Sequence, residues 1–336
     1  MGLAWLLPAG VSAAATAVSY VGPSNGLWNT ASNWSIAAVP ANSGSNQFTV
    51  TISGTVYDPS GAPDPGVTLW MAPGAIPTNS MSDANGRFTV SWRPLQAMET
   101  LLVGRDLERN LATTISIDRT ATNVDLHLRE GLTLSGTVQD NFGAALKGAT
   151  VQLALKAPGM SAGFTRQPAT ADESGAFTFN VLPQGQSYGV MVRAPGFGTT
   201  NLTLGADQTQ TARLELPPVK LQPADRPLEG QVVGPDDQPV PGATVQVSGS
   251  GQPTASTRTD ANGHFAMKVC EGMATVFAIA QRNTMNSQPA SGNVQAHAGD
   301  LNVVVKLRIN TTNGAPAAGA RVSGQIPPAR PLSAPQ

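Results

Sequence analysis

The sequence predicts an all-β chain built as a tandem array of three β-sandwiches, and three observations carry that prediction. The first is a pattern that occurs three times. Its last copy runs Gly230-Gln-Val232, Pro239-Val-Pro241-Gly242-Ala-Thr-Val245 and Asp260-Ala-Asn-Gly263-His-Phe265. The earlier copies are Gly136-Thr-Val138, Gly148-Ala-Thr-Val151 and Asp172-Glu-Ser-Gly175-Ala-Phe177, and before them Gly54-Thr-Val56, Gly66-Val-Thr-Leu69 and Asp83-Ala-Asn-Gly86-Arg-Phe88. The second is alternation with period two inside each copy, which gives strands one buried face. The third is composition. Charged residues are 12% of the 336, with 35 Gly and 27 Pro, which suits short strands and tight turns.

The opening Gly54 and Gly136 are 82 residues apart, and Gly136 and Gly230 are 94 apart. Units of that size can bury their own cores. The divisions that follow are 46–130, 131–218 and 219–310, the last including a Pro-rich linker.

The repeat resembles the carboxypeptidase regulatory-like domain, a small sandwich of the transthyretin-like or immunoglobulin-like kind. The residues that carry the resemblance are the opening G-x-V, the G-x-P-x-x-G-A-x-V turn and strand, and the D-x-x-G-x-F hairpin. The second copy adds Leu182-Pro-Gln-Gly185, Tyr188 and Pro195-Gly-Phe197. The first copy departs after Trp92, where Thr100-Leu-Leu-Val-Gly-Arg-Asp106 replaces the usual G-x-Y strand. The resemblance implies an accessory or structural domain rather than a catalytic one.

Taken in order, residues 1–17 read as a secretory signal peptide. The short apolar run Leu3–Val11 precedes small-residue sites at Ala13–Ala17, although the usual basic head is missing. Residues 18–45 carry Trp28 and Trp34, spaced like a short motif near the start of bacterial exported surface proteins, or else a cover for the open end of the first sandwich.

In the strands of the third copy, parity points Ala243, Val245 and Val247 inward and Thr244, Gln246 and Ser248 outward. It also places Phe265, Met267 and Val269 in that core, and Phe177, Phe179 and Val181 in the second. Each Asp-x-x-Gly is expected to be a turn, with the carboxylate accepting backbone amides and Gly supplying positive φ. Asp83-x-Asn85-Gly86 and Asp260-x-Asn262-Gly263 resemble fragments of a calcium loop, but the remaining ligands of such a loop are missing.

Arg129-Glu-Gly131 joins the first two units tightly. Pro217, Pro218, Pro223 and Pro227 predict a stiff, extended connector to a hinged third unit. Residues 311–336 form a Pro/Ala-rich tail that begins like a fourth copy, so the chain reads either as part of a longer protein or as one with a degenerate end.

Several chemistries are excluded. A net charge of −1 without a basic run gives no basis for binding nucleic acid, and no segment has the length of a membrane span. The single Cys270 allows no intrachain disulfide and reads as an apolar filler. Carboxypeptidases that carry this domain hold zinc with H-x-x-E and a distant His. His127-Leu-Arg-Glu130 has that spacing and His264 lies beyond, but alternation puts His127 on a solvent face and His264 in a different sandwich. No catalytic residue, metal site or cofactor is expected. A Lys–Asn isopeptide lock is ruled out for the first unit, which lacks lysine.

One binding residue is expected. Val67 and Leu69 face inward, so Trp70 faces outward, where an indole can stack on a sugar ring or a partner surface. The alternative is that it packs against the loop around Pro77 or against a neighbouring unit.

The sequence therefore predicts an exported, non-enzymatic structural or adhesive module in the extracellular space, at the cell surface or in the periplasm. Its partner would be an extracellular polysaccharide or a surface protein. Two alternatives stand beside it, a carbohydrate-binding array and the accessory region of a truncated exported enzyme.

Overall fold

A computed structural model describes residues 50–73, 80–92, 100–117, 123–158, 160–164, 168–280 and 290–309. The leader, the Trp28 and Trp34 segment, Pro77 and the tail from 311 lie outside them. Among the described residues every regular element is a β-strand, and none is a helix long and apolar enough to cross a membrane. Six sheets form three sandwiches. The chain divides into two compact units, one of Met1–Arg226 with Ser248–Thr254 and Lys268–Ala274, the other of Pro227–Val247, Ala255–Met267 and Thr275–Gln336.

The first unit contains two sandwiches. In the first, a three-stranded sheet sets Val50–Tyr57 between Arg87–Trp92 and Leu126–His127, over a four-stranded sheet of Thr68–Ala72, Leu101–Asp106, Leu111–Ser116 and Arg129–Glu130. In the second, Leu132–Asp140 lies between Ala176–Leu182 and Arg213–Glu215. The facing five-stranded sheet contains Met160–Gly163, Thr150–Ala157, Ser187–Arg193 and Thr199–Leu204 in that order, with Ala169–Thr170 also paired to Thr150–Ala157.

In both sandwiches the opening strand pairs antiparallel with the hairpin strand and parallel with the last one. The glycine of G-x-V makes this three-way approach possible. A Cβ on Gly54 would fall 1.8 Å from the Val124 carbonyl oxygen and 3.0 Å from the Phe88 ring, and one on Gly136 would fall 2.9 Å from the Phe177 ring. The valine of the same motif then donates its amide to the hairpin glycine's carbonyl at 2.8 Å, Val56 to Gly86 and Val138 to Gly175. The two motifs of the repeat are thus tied directly to each other.

The connector after the second sandwich is not a free spacer. Val219–Leu221 pairs in parallel with Val138–Asp140, which makes it a further strand of that sandwich. Pro-rich sequence cannot supply a full ladder, but Val219, Lys220 and Leu221 between the prolines can, and Val219 and Leu221 are buried.

The second unit contains most of the third sandwich. Arg226–Val233 lies between His264–Val269 and Val303–Lys306, facing a sheet of Ser256–Arg258, Thr244–Ser248, Met273–Ala280, Ala290–His297 and Arg308–Ile309. Val232, Val245, Phe265, Val276 and Val305 fill the core with the expected parity. Gly230 repeats the role of Gly54, its Cβ position lying 2.0 Å from the Val303 carbonyl oxygen and 2.9 Å from the Phe265 ring.

All three hairpins have the expected turn. Asp83 Oδ1 accepts the amides of Asn85 and Arg87 at 2.8 and 2.9 Å, and Asp172 and Asp260 do the same two and four residues on. Gly86, Gly175 and Gly263 follow with φ of 71°, 77° and 74°. The carboxylate oxygen is therefore already used by the backbone. The first two sandwiches have a second turn of this kind, in which Asp58 accepts from Ser60 and Ala62, and Asp140 from Phe142 and Ala144.

Candidate functional site

Where two sandwiches belong to one unit, the place where they meet decides what that unit can transmit. Within the first unit that joint is built around Trp70. The outward parity of Trp70 holds, since Leu69 and Met71 belong to the first sandwich's own core while Trp70 and Ala72 point the other way. Exposure does not follow. Trp70 is 2% exposed, because the second sandwich covers this face.

Trp70, Ala72, Leu101 and Val103 join the core cluster of the second sandwich, which makes one continuous apolar interior. The indole lies 5.5 Å from the ring of Phe164, which in turn meets Tyr188 edge-on at 5.7 Å. The stacking platform expected of Trp70 is therefore corrected to a packing role: an indole without a free face has none to offer a ligand. Four apolar side chains on two paired strands were the sequence signal for a covered face, and the parity argument used only one of them.

Polar groups fix the orientation of this apolar joint. Arg105 donates from Nε to the Val181 carbonyl at 2.8 Å and from an Nη to the Asn180 carbonyl at 2.9 Å, and its guanidinium sits 4.9 Å over the Phe164 ring. Burial pushes its pKa down to about 10, which leaves it protonated at neutral pH. Asn110 accepts the Val181 amide at 2.8 Å and donates to the Gly131 carbonyl at 3.1 Å. Both backbone groups of Val181 are thus held by side chains of the first sandwich. That residue has φ of 60°, unusual for a β-branched side chain, beside a bulge in the strand pairing. The arrangement is a clamp.

The other candidates are dispersed. His127 is exposed and stacks on Tyr57 at 5.1 Å, and His264 lies 3.8 Å from Asp260 in the other unit. No group of three metal-ligating side chains occurs among the described residues. Lys147, Lys156, Lys220, Lys268 and Lys306 are all exposed, so none sits in a core beside an asparagine. Cys270 is buried, its thiol 3.4 Å from the Gln222 carbonyl and its amide bound by Gln252 Oε1 at 3.0 Å. Burial pushes the thiol's pKa up, which makes it a poor nucleophile.

A cluster that sequence reasoning missed surrounds Arg109. Its guanidinium meets Asp58 at 3.3 Å, Asp106 at 2.6 Å and the buried Asp64. Its signal was a polar residue, Asp64, at the repeat position held by Leu146 and Val240.

Comparison with known proteins bears on the fold. The sequence profile of the carboxypeptidase regulatory-like domain matches residues 133–217 and 227–307. No curated protein sequence matches the chain. Among solved structures, the Bacillus anthracis TIE protein is 13% identical over 78% of this chain and 51% of its own, with a TM-score of 0.25. This chain thus spans about half of that protein's length. A streptococcal ancillary pilin is 12% identical over 77% and 99%, with a TM-score of 0.27. GBS52, the minor pilin of Streptococcus agalactiae, is 12% identical over 56% and 100%, with a TM-score of 0.28. Likenesses at these scores carry no argument about function. The profile match establishes that the chain carries two carboxypeptidase regulatory-like domains in tandem, at residues 133–217 and 227–307.

Proposed function

We propose that the chain is an exported, non-enzymatic structural and adhesive module, with repeats at 46–130, 131–218 and 219–310. The observation that carries this reading is the shared core of the first two sandwiches, in which Trp70, Leu101 and Val103 belong to the same cluster as Leu155, Phe164 and Tyr188. Two domains with one interior move as one body, which suits a part that holds surfaces at fixed spacing. Nothing in that role needs a metal, a cofactor or a nucleophile. Export rests on the apolar Leu3–Val11 segment and the small residues after it. A second reading, recognition of polysaccharide, no longer draws support from Trp70 and draws it instead from an open cleft on the second sandwich.

The test is a bacterial strain making the full chain with a carboxy-terminal tag. The tag should be removed by protease added to intact cells, and the strain should attach to coated surfaces more than one without the chain. Protection from protease until the cells are lysed would overturn the reading.

A further inference from the structure

The outer face of the second sandwich's five-stranded sheet is hollow. Strand register places Gly163 opposite Ala154, Ala154 opposite Gly189 and Gly189 opposite Thr203, so four adjoining strands contribute one row of small side chains. At about 4.8 Å between strands the row is about 14 Å long. On one side stand Gln152, Met191 and Asn201, and on the other Ser161 and Lys156, whose side chain folds over Gly189 so that its Cε lies 2.7 Å from where a Cβ there would be. These residues line an open cleft of about 430 Å³, within the usual range for ligand sites.

Comparison with the first sandwich shows how the hollow arises. Thr68 faces Arg105 as Thr150 faces Arg193, so Trp70, Ala72, Leu101 and Val103 correspond to Gln152, Ala154, Gly189 and Met191. The apolar set is covered by a neighbouring sandwich. In the second set an amide replaces the indole, and a hydrogen replaces the leucine side chain. The same face has thus changed from a packing surface into an open trough.

Its chemistry selects an occupant. Two carboxamides and two hydroxyls can exchange hydrogen bonds with a ligand rich in hydroxyls. Lys156 is the one charged side chain among the described lining residues. Whereas Lys147 and Lys306 pair with Glu173 and Asp237, Lys156 has no carboxylate partner among the described residues. Charge complementarity therefore calls for an anion. The trough crosses the sheet with the Lys156 side chain lying over its floor at Gly189, which sets the ammonium against a chain that follows the trough, and its described lining residues include no aromatic face to hold a neutral sugar ring. The geometry points to an acidic polysaccharide, with a uronate carboxylate on Lys156 and ring hydroxyls on Gln152 and Asn201. The inference rests on the chain being a recognition module; failure of glycan binding with surface exposure intact would sink this inference alone.

The experiment is affinity electrophoresis of the full chain in gels containing polygalacturonate, dextran or polyglutamate. Polygalacturonate alone should retard the chain. Lys156→Ala should weaken retention about tenfold, the effect of one charge-assisted hydrogen bond. Gly163→Leu should abolish it while keeping the charge, since a Cβ there meets nothing within 4 Å and the backbone needs no positive φ. Unchanged thermal midpoints would show that both variants are folded, and Lys156→Glu provides a second charge test if Gly163→Leu is not. Equal retardation by polyglutamate would reduce the effect to anion capture and overturn the proposal. So would mobility unaltered in every gel, or retention indifferent to both Lys156 substitutions.

Discussion

Arg109 holds the buried Asp64 in an ion pair in the first sandwich, at a repeat position that Leu146 fills in the second. Asp64 and Leu146 both donate their amides to the opening strand, to the carbonyls of Val56 and Val138 at 2.8 and 2.9 Å. Asp64 is 1% exposed, and its Oδ2 has no hydrogen-bond partner among the described residues. A position that is apolar in one repeat has become charged in the other.

Removing one member of such a pair leaves the other stranded, whereas replacing both with apolar side chains leaves no buried charge behind. Arg109→Phe alone is expected to destabilise the chain by about 2 kcal/mol, the smaller end of the range because the guanidinium is half exposed. Asp64→Leu with Arg109→Phe should recover most of that loss. Urea unfolding of the two singles and the double decides the matter, and strictly additive losses would refute the coupling of the two residues.

The same cluster gives a pH dependence. Burial raises the pKa of Asp64 above its ordinary 3.8, and the attraction of Arg109 only partly offsets it. A carboxyl with a raised folded pKa contributes stability that is present below its unfolded pKa and lost as pH rises through the folded value. The native chain should therefore lose stability relative to Asp64→Leu as pH is raised from about 4 toward neutrality.

Asp172 has the opposite sign. The Ser174 hydroxyl first, then the Ala176 amide, hold its pKa down. Its contribution is present above the unfolded pKa and lost as pH falls through the folded one. Asp172→Ala should flatten the acid side of the stability profile. Thermal midpoints measured against pH would check both effects.

What the sequence made legible was whatever depends on one strand and its neighbours in the repeat. Alternation identified the inward residues of each sandwich except Val181, where the bulge places Leu182 in the second core instead, and the turn chemistry of Asp83, Asp172 and Asp260 needed only a five-residue window. What it hid depends on a second surface. Trp70 could be assigned a direction and a choice between a free face and a cover by the Pro77 loop or a neighbouring unit, but not the covering residue, because Phe164 comes 94 residues later in a different sandwich. The cleft beside Lys156 was hidden for the same reason, since it needs the register of four strands, which no single strand pattern contains.

Trp70→Ala should open a cavity in the shared core and cost about 3–5 kcal/mol. Truncation should also uncouple the two sandwiches, so calorimetry of the full chain should show one more transition than the native protein gives. Retention by polysaccharide should be unaffected in the folded variant. A variant as stable as the native chain would mean that the indole is not part of the core.

The clamp on Val181 allows a final prediction, which separates strain from contact. A valine at φ of 60° carries a cost of about 1–2 kcal/mol that glycine would not, but glycine also gives up a buried side chain, so Val181→Gly should be close to neutral. Asn110→Ala leaves the Val181 amide without its acceptor and should cost about 1–3 kcal/mol. If the clamp exists to hold that backbone in place, the two effects are coupled. A glycine at 181 can relax once Asn110 is gone, so the loss from Asn110→Ala should shrink in the Val181→Gly background. Denaturant unfolding of the four proteins of this double-mutant cycle measures the coupling directly. Full additivity would mean that Asn110 stabilises the joint through its bond to Gly131 and not by holding the backbone of Val181.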